Sequence, residues 1–224
     1  MAQGPRIEIL TDAATVARRA ATHVAELSRA AVRDHGRFTF AVSGGHTPWA
    51  MFADLGDEDE PWNRTAIYQV DERVAPAGDP DRNLTHLLAS LPAESGADVH
   101  PMPVEEADLE AAAADYARSL PERFDLIHLG LGPDGHTASL VPGDPVLEIT
   151  DRDVAVTREY QGRQRMTLTY PVLDRASEIL WIVTGEDKVD ALRRLREGDR
   201  SIPGGRVASE RALIFADEAA APDG

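Results

Sequence analysis

The chain reads as an α/β protein with a Rossmann-like, mainly parallel sheet covered by helices on both faces. Three observations predict this. Short apolar runs such as Phe38 to Val42 and Asp125 to Leu131 recur as strand candidates, continuous enough to be buried on both sides. Segments of helical periodicity separate them, as in Asp12 to Asp34, where Val16, Ala20, Val24, Leu27 and Ala31 share one face. Glycine-rich turns follow two of the strands directly, which is where open α/β sheets place their ligand crevice.

Taken in order, Arg6 to Leu10 is a short strand, and the helix from Asp12 is punctuated by Gly36. Phe38 to Val42 is a strand, Ser43 to Thr47 a glycine turn, and Pro48 opens a helix with proline near its first position. The unit repeats with Ala66 to Val70 as strand, Asp71 to Arg82 as a long polar loop and Asn83 to Ser90 as a short helix. Alanine-rich Glu105 to Ser119 precedes the strand at Asp125. Val154 to Thr157, Met166 to Thr169 and Ile179 to Val183 are read as strands, Asp187 to Arg196 as helix and Ala212 to Ala216 as a last strand. The stretch from Asp144 to Tyr170 breaks the rhythm and reads as a smaller β-rich lobe within one domain spanning 1–224.

Composition narrows the chemistry. With 39 acidic against 23 basic residues the net charge is -16, which argues against a nonspecific nucleic-acid or anionic-membrane surface. Any anionic substrate needs a locally basic pocket. Cysteine is absent, so disulfides, thiolate nucleophiles, cysteine-ligated zinc and iron–sulfur clusters are excluded. The N-terminal MAQGPRIEIL lacks a basic flank followed by an apolar run, and no segment approaches the roughly 18 apolar residues of a membrane span. A soluble cytoplasmic protein is the expectation.

Three loops carry candidate chemistry. In Ser43-Gly44-Gly45-His46-Thr47-Pro48 the glycines let backbone N–H groups approach an anion, and the following helix adds its positive N-terminal dipole. The Gly-Lys-Ser/Thr ending of a Walker loop and a strict GxGxxG are both missing. In Asp71-Glu72-Arg73, at the end of a strand, Arg73 offers a charge-assisted grip on an oxyanion, with Asp71 or Glu72 to orient it; a plain surface ion pair is the other reading. In Asp134-Gly135-His136, an imidazole on a glycine turn behind a buried strand suits proton transfer near neutral pH, and Asp134 suits holding its tautomer. No HExxH, EF-hand loop or regular histidine pair points to a metal, and GxSxG is absent, so Ser43 or Ser139 has little support as an acyl nucleophile.

Together and in this order, SGGHTP, DERVAPAGDPDRN, LGLGPDGHTASLVPG, RMTLTYPVLDRA and TGEDKVDALRRL closely resemble the 6-phosphogluconolactonase family, from about Phe38 to Asp217. The resemblance implies the fold shared with glucosamine-6-phosphate deaminase and ribose-5-phosphate isomerase. It implies hydrolysis of 6-phospho-D-glucono-1,5-lactone to 6-phosphogluconate in the oxidative pentose phosphate pathway, with no cofactor or metal and a phosphosugar lactone as the partner molecule. Carried over residue by residue, it makes His136, Asp134 and Arg73 catalytic. Ser43, Gly44, Gly45, His46, Thr47, Asp71, Asn83, Gly135, Arg165 and Lys188 then surround the substrate, with Arg165 and Lys188 the further cations that either reach the phosphate or sit at the surface. Serine is common where His46 stands, valine where Ala75 stands and serine where Arg82 stands; a side chain at position 46 is tolerated if it points outward, and Arg82 would add positive charge nearby.

Two other readings belong beside this one. The deaminase branch of the same fold also carries a DGH turn, but continues with asparagine-glutamate-proline and has tyrosine after its acidic pair, where this chain has Thr137-Ala138-Ser139-Leu140-Val141-Pro142-Gly143 and Arg73. A non-catalytic phosphosugar-binding homologue would bind without turnover.

Overall fold

The computed structural model describes residues 4–208 and 210–222. Its main sheet runs, in spatial order, through β1 (Arg6–Leu10), β10 (Ala212–Asp217), β9 (Glu178–Val183), β6 (Leu126–Gly130), β2 (Phe38–Val42), β3 (Thr65–Gln69) and β5 (Asp98–His100). Every neighbouring pair is parallel. The helices are α1 (Ala13–His35), α2 (His46–Leu55), α3 (Asn83–Ser90), α4 (Leu109–Ser119), α5 (Tyr170–Asp174) and α6 (Val189–Arg196).

The strands are buried on both sides because each supplies apolar residues in both directions. Phe38, Phe40 and Val42 of β2, with Leu213 and Phe215 of β10, pack under Val16, Ala20 and Val24 of α1 and Met51 and Phe52 of α2. On the opposite face Ile127 and Leu129 of β6, Trp181 of β9 and Ile214 of β10 meet Ala113 and Tyr116 of α4 and Leu192 of α6. Fully burying each such large side chain contributes roughly 1.5–3 kcal/mol. Small alanines at Ala17, Ala20, Ala21 and Ala25 let α1 lie close to the sheet, and Asp12 caps it by accepting the Thr15 N–H at 2.7 Å.

Two expectations are corrected here. The residues from Asp71 do not begin a loop: Asp71–Arg73 is a strand, β4, paired antiparallel with β8 (Arg165–Leu168), which in turn pairs with β7 (Val154–Val156). Nothing in the local pattern of Asp-Glu-Arg favours a strand; its partner across the ladder does. The Asp144–Tyr170 stretch supplies β7 and β8 to this second, three-stranded antiparallel sheet, apart from the main one. That sheet takes its third strand from residues 71–73, and Val154, Ala155, Met166 and Leu168 enter the same apolar cluster as β6 and β9. The helix expected from Pro48 starts two residues earlier at His46, where proline still falls in the first turn and its missing N–H breaks no bond. Edge strand β5, helix α5 and the short 3-10 turn Glu186–Lys188 ahead of α6 are too brief to leave a period.

This topology positions the site. From β2 the chain proceeds outward to β3 and β5, then returns to the other side of β2 as β6 and continues through β9 and β10. The order of the strands thus reverses between β2 and β6, and the crevice of such sheets opens at that reversal, beyond the strands' carboxyl ends. The segments after β2 and β6 are the Ser43 turn and the Asp134 turn.

Candidate active site

The Ser43 turn is tied into the sheet before it reaches the crevice. Ser43 donates its N–H to His128 Nδ1 at 3.3 Å and its hydroxyl to the His128 carbonyl at 3.1 Å. Both of its donors are spent, so it lines the crevice without contributing to an anion cradle; the available N–H groups begin with Gly44. His128 is fully buried, and burial pushes its imidazole down to about 3, so it stays neutral with Nδ1 free to accept. Gly44 has no alternative, because a Cβ there would overlap the Asn83 carboxamide. Gly45 leads into α2, which His46 and Thr47 begin and whose first-turn N–H groups have no intrahelical acceptor. Thr47 Oγ1 lies 2.9 Å from Thr184 Oγ1 just after β9.

A prediction follows from His128. Its folded value lies below the ordinary value of about 6.5, so between roughly pH 6.5 and 3 the unfolded chain takes up a proton that the folded protein refuses. Stability then falls as pH drops through that window, by about 1.4 kcal/mol per pH unit from this group. Asparagine offers a non-titrating acceptor to Ser43. Urea unfolding at pH 6 and pH 5 is expected to show a shallower loss in His128→Asn by about that slope; parallel losses in the two proteins would contradict it.

The second wall is held by a buried carboxylate. Glu72 is completely buried; Oε1 accepts the N–H groups of Arg73 and Asn83 at 2.8 Å each, and Oε2 accepts from Gln69 Nε2 at 2.8 Å and Leu84 N at 2.9 Å. It thus caps α3 from outside its own helix, the placement a carboxylate prefers at a positive helix end. Arg82 Nε lies 3.1 Å from Glu72 Oε2, close enough to pair as ions but misaligned for a hydrogen bond. Arg82 is therefore buried under the loop, with Nη1 on the Ala75 carbonyl at 3.1 Å, and adds no charge to the crevice. Neither Glu72 nor Asp71 grips the Arg73 side chain. Arg73 Nη1 donates to Asn83 Oδ1 at 2.6 Å and the Asp81 carbonyl at 2.9 Å, and Asn83 Nδ2 in turn donates to the Asp71 carbonyl at 2.9 Å. Asp71 Oδ2 accepts the Ser139 hydroxyl at 2.6 Å.

Opposite Arg73 in the β4–β8 ladder stands Arg165. It is 5% exposed; Nη2 donates to Gln161 Oε1 at 3.2 Å, while Nε has no acceptor. Burial lowers its pKa, the Asp71 charge works against that, and the neighbouring Arg73 adds to it. Like charges directly opposite on a sheet are destabilising. An anion between them relieves the conflict.

The third wall is the turn after β6. A Cβ on Gly132 would strike the His136 imidazole and the Asp134 carboxylate, so glycine is what allows the turn to fold over itself. Asp134 Oδ1 accepts from His136 N at 3.1 Å and lies 2.6 Å from His136 Nδ1. Burial works to raise the Asp134 pKa, but hydrogen bonds from the His136 backbone and ring, and the charge on that ring, outweigh it and hold the carboxyl below its usual value. With Nδ1 engaged, Nε2 is the ring nitrogen left to exchange a proton.

These walls enclose one cleft of about 400 Å³, large enough for one phosphosugar. Ser43, Gly44, Gly45, His46, Thr47, Asp71, Arg73, Asn83, His136, Arg165 and Lys188 all line it. Asp134 and Gly135 do not: Asp134 stands behind His136, and Gly135 is turned to the protein, its N–H on the Gly132 carbonyl at 2.9 Å and its carbonyl on Gly204 N at 2.9 Å. His46 is exposed at the rim, and Lys188 Nζ sits 2.9 Å from Asp187 Oδ2. The sequence reading missed Ile182 of β9, which belongs to no motif, Thr184 and Asp187, which lie in the TGEDKVDALRRL segment but were not singled out from it, and Tyr160, which touches both Asp134 and Arg165. Among the described residues no group of three or more His, Asp or Glu is arranged to hold a metal ion, and no helix is long and apolar enough to cross a membrane.

The fold and cleft define an α/β protein whose crevice, at a strand-order reversal, is lined by Arg73, Arg165 and the start of α2 beside an aspartate-supported histidine. Residues 11–215 match the family model described as glucosamine-6-phosphate isomerases/6-phosphogluconolactonase. A 6-phosphogluconolactonase of Synechocystis sp. is 35% identical over 201 residues, spanning 84% of this chain and 83% of that one. Among solved structures, a 6-phosphogluconolactonase from Shewanella baltica superposes with a TM-score of 0.87 at 24% identity, over 97% of this chain and 99% of that one. A monomeric glucosamine-6-phosphate deaminase superposes with a TM-score of 0.83 at 17% identity, over 97% and 99%; both likenesses bear on fold alone. The chain belongs to the glucosamine-6-phosphate isomerase/6-phosphogluconolactonase family.

Proposed function

We propose that this protein is a 6-phosphogluconolactonase that hydrolyses 6-phospho-D-glucono-1,5-lactone to 6-phosphogluconate, the oxidative pentose phosphate step, with water activated by His136. The observation that carries the reading is the facing pair Arg73 and Arg165 in the same cleft as the first turn of α2 and the Asp134–His136 pair. The lactonase relative, similar over most of both chains, supports the same substrate.

In this reading the phosphate is held by N–H groups of Gly44 to Thr47 at the start of α2, with the Thr47 hydroxyl beside them and charge supplied by Arg73 and Arg165. His136 Nε2 takes a proton from water as its oxygen bonds to the lactone carbonyl carbon, and Asp134 steadies the imidazolium. The bond from that carbon to the ring oxygen then breaks, and His136 returns the proton to the departing oxygen, which becomes a hydroxyl. Either Arg73 or a glycine-turn N–H stabilises the tetrahedral oxyanion. Binding fixes lactone and water together, and the lactone already hydrolyses unaided, so no covalent intermediate is needed.

The test is acid release from freshly made lactone, measured above its spontaneous rate. Rapid turnover of the phosphorylated lactone, and little of glucono-1,5-lactone lacking the phosphate, is expected. Turnover no faster than the spontaneous rate, or ammonia release from glucosamine 6-phosphate in its place, overturns the proposal.

The arginine pair gives a second expectation. Arg165→Met removes one of two facing charges, so the ligand-free protein should be as stable as wild type or up to about 1 kcal/mol more stable. Affinity for 6-phosphogluconate should fall about tenfold or more as a charge-assisted contact is lost. Calorimetric titration and thermal melts check both; loss of stability with unchanged affinity would make Arg165 a structural residue.

A further inference from the structure

We propose that Tyr160 is a positioning residue of this site: its hydroxyl holds the Asp134 carboxylate against His136, and its ring covers Arg165. The inference rests on the lactonase reading above and deepens it. Asp134 uses Oδ1 for both contacts with His136, which leaves the other oxygen to fix the plane of the carboxylate. That oxygen, Oδ2, accepts from Tyr160 Oη at 3.4 Å. The Tyr160 ring meets the His136 ring edge to face, with centroids 5.7 Å apart at 63°, and the Arg165 guanidinium lies over it at 5.1 Å. One side chain therefore touches the proton-transfer pair and the anion-holding arginine together. The charged or titratable groups facing it are Asp134, His136 and Arg165.

The backbone keeps Tyr160 there. It sits on the turn between β7 and β8, closed by Tyr160 N to the Arg163 carbonyl at 2.9 Å, with Gln161 at φ 53° at its tip. Arg163 Nη2 fastens that tip to Asp79 Oδ2 at 3.2 Å and Asp81 Oδ2 at 3.0 Å, on the segment whose Asp81 carbonyl also accepts from Arg73. Burial and the Asp134 charge both raise the phenol's pKa, so it stays a donor at neutral pH.

The two functions of the side chain separate by substitution. Tyr160→Phe keeps the ring and loses the hydroxyl: kcat should fall about fivefold, with KM within about twofold of wild type and the melting temperature little changed. Without the phenol on Oδ2 the carboxylate pulls harder on the imidazole proton, so the acid limb of the kcat profile should move to higher pH. Tyr160→Leu also uncovers Arg165, and should in addition weaken 6-phosphogluconate binding about fivefold. If Tyr160→Phe matches wild type in kcat and in the position of the acid limb, the positioning role is wrong, whatever Tyr160→Leu does to stability. Wild type assayed alongside keeps the two readings apart: a wild type that fails to hydrolyse the lactone refutes the lactonase reading, whereas an active wild type matched by Tyr160→Phe refutes only this inference.

Discussion

Replacing His136 with alanine is expected to lower kcat for 6-phosphogluconolactone by about 10²–10⁴-fold, the usual contribution of a positioned acid/base group. Binding of 6-phosphogluconate should stay within a few-fold of wild type, because in the proposed pose the phosphate is held by α2 and the arginines and not by the imidazole. The ring lies against the Asp134 carboxylate, with Nδ1 engaged and Nε2 left for chemistry. Gly132 clears the space into which the ring folds, so alanine at 136 leaves a small void at the cleft surface and little strain. A loss confined to kcat identifies a group that acts in the transition state, whereas a loss confined to KM identifies uniform binding. Near-wild-type turnover in His136→Ala would remove the residue from the mechanism.

Glu72→Ala is expected to cost about 3–5 kcal/mol of folding stability. Glu72 is completely buried and answers four N–H donors on three segments: Gln69 Nε2, the backbone of Arg73, and the first two N–H groups of α3. Alanine strands those donors and also removes the nearer carboxylate of the buried Arg82 guanidinium, leaving it only Glu105 Oε2 at 3.6 Å from Nη1. The damage should extend to binding, since the Arg73 backbone and Asn83 both rest on Glu72 Oε1 and Asn83 carries the Arg73 side chain. Urea unfolding measures the stability term; a loss below about 1 kcal/mol would show that water or rearrangement replaces the carboxylate. Glu72→Gln, which keeps the shape but exchanges acceptors for a donor, should fall between the two.

How far the sequence reveals this molecule depends on where the information lies. β1, β2 and α3 are legible to the residue because their patterns are local: an apolar run, or a short amphipathic turn of helix with clear stops. The cleft is legible wherever a residue lies in a turn directly after a parallel strand, as Gly44 to Thr47 and His136 do. It is illegible where a residue's meaning comes from its neighbour across the fold. Asp71–Arg73 becomes a strand only because β8 lies beside it, and Arg82 looks like a free cation only until its burial against Glu72 is seen. Ser43 sits in the glycine turn like its neighbours, yet both its donors turn back to His128, a histidine inside a strand that gives no motif. Tyr160 lies in the turn between β7 and β8, outside the RMTLTYPVLDRA segment that follows it, and touches the site only once those strands are folded.

The central claim is spatial: one cleft holds the phosphate at one end and presents the lactone carbon to the His136 ring at the other. A crystal structure with 6-phosphogluconate tests it most directly. The account predicts phosphate oxygens about 3 Å from the N–H groups of Gly44 to Thr47, with the product's carboxylate carbon within reach of His136 Nε2 through one water, on the order of 4–5 Å. A phosphate seated beside His136 with the carboxylate at the α2 end, or a ligand bound outside this cleft, would contradict it.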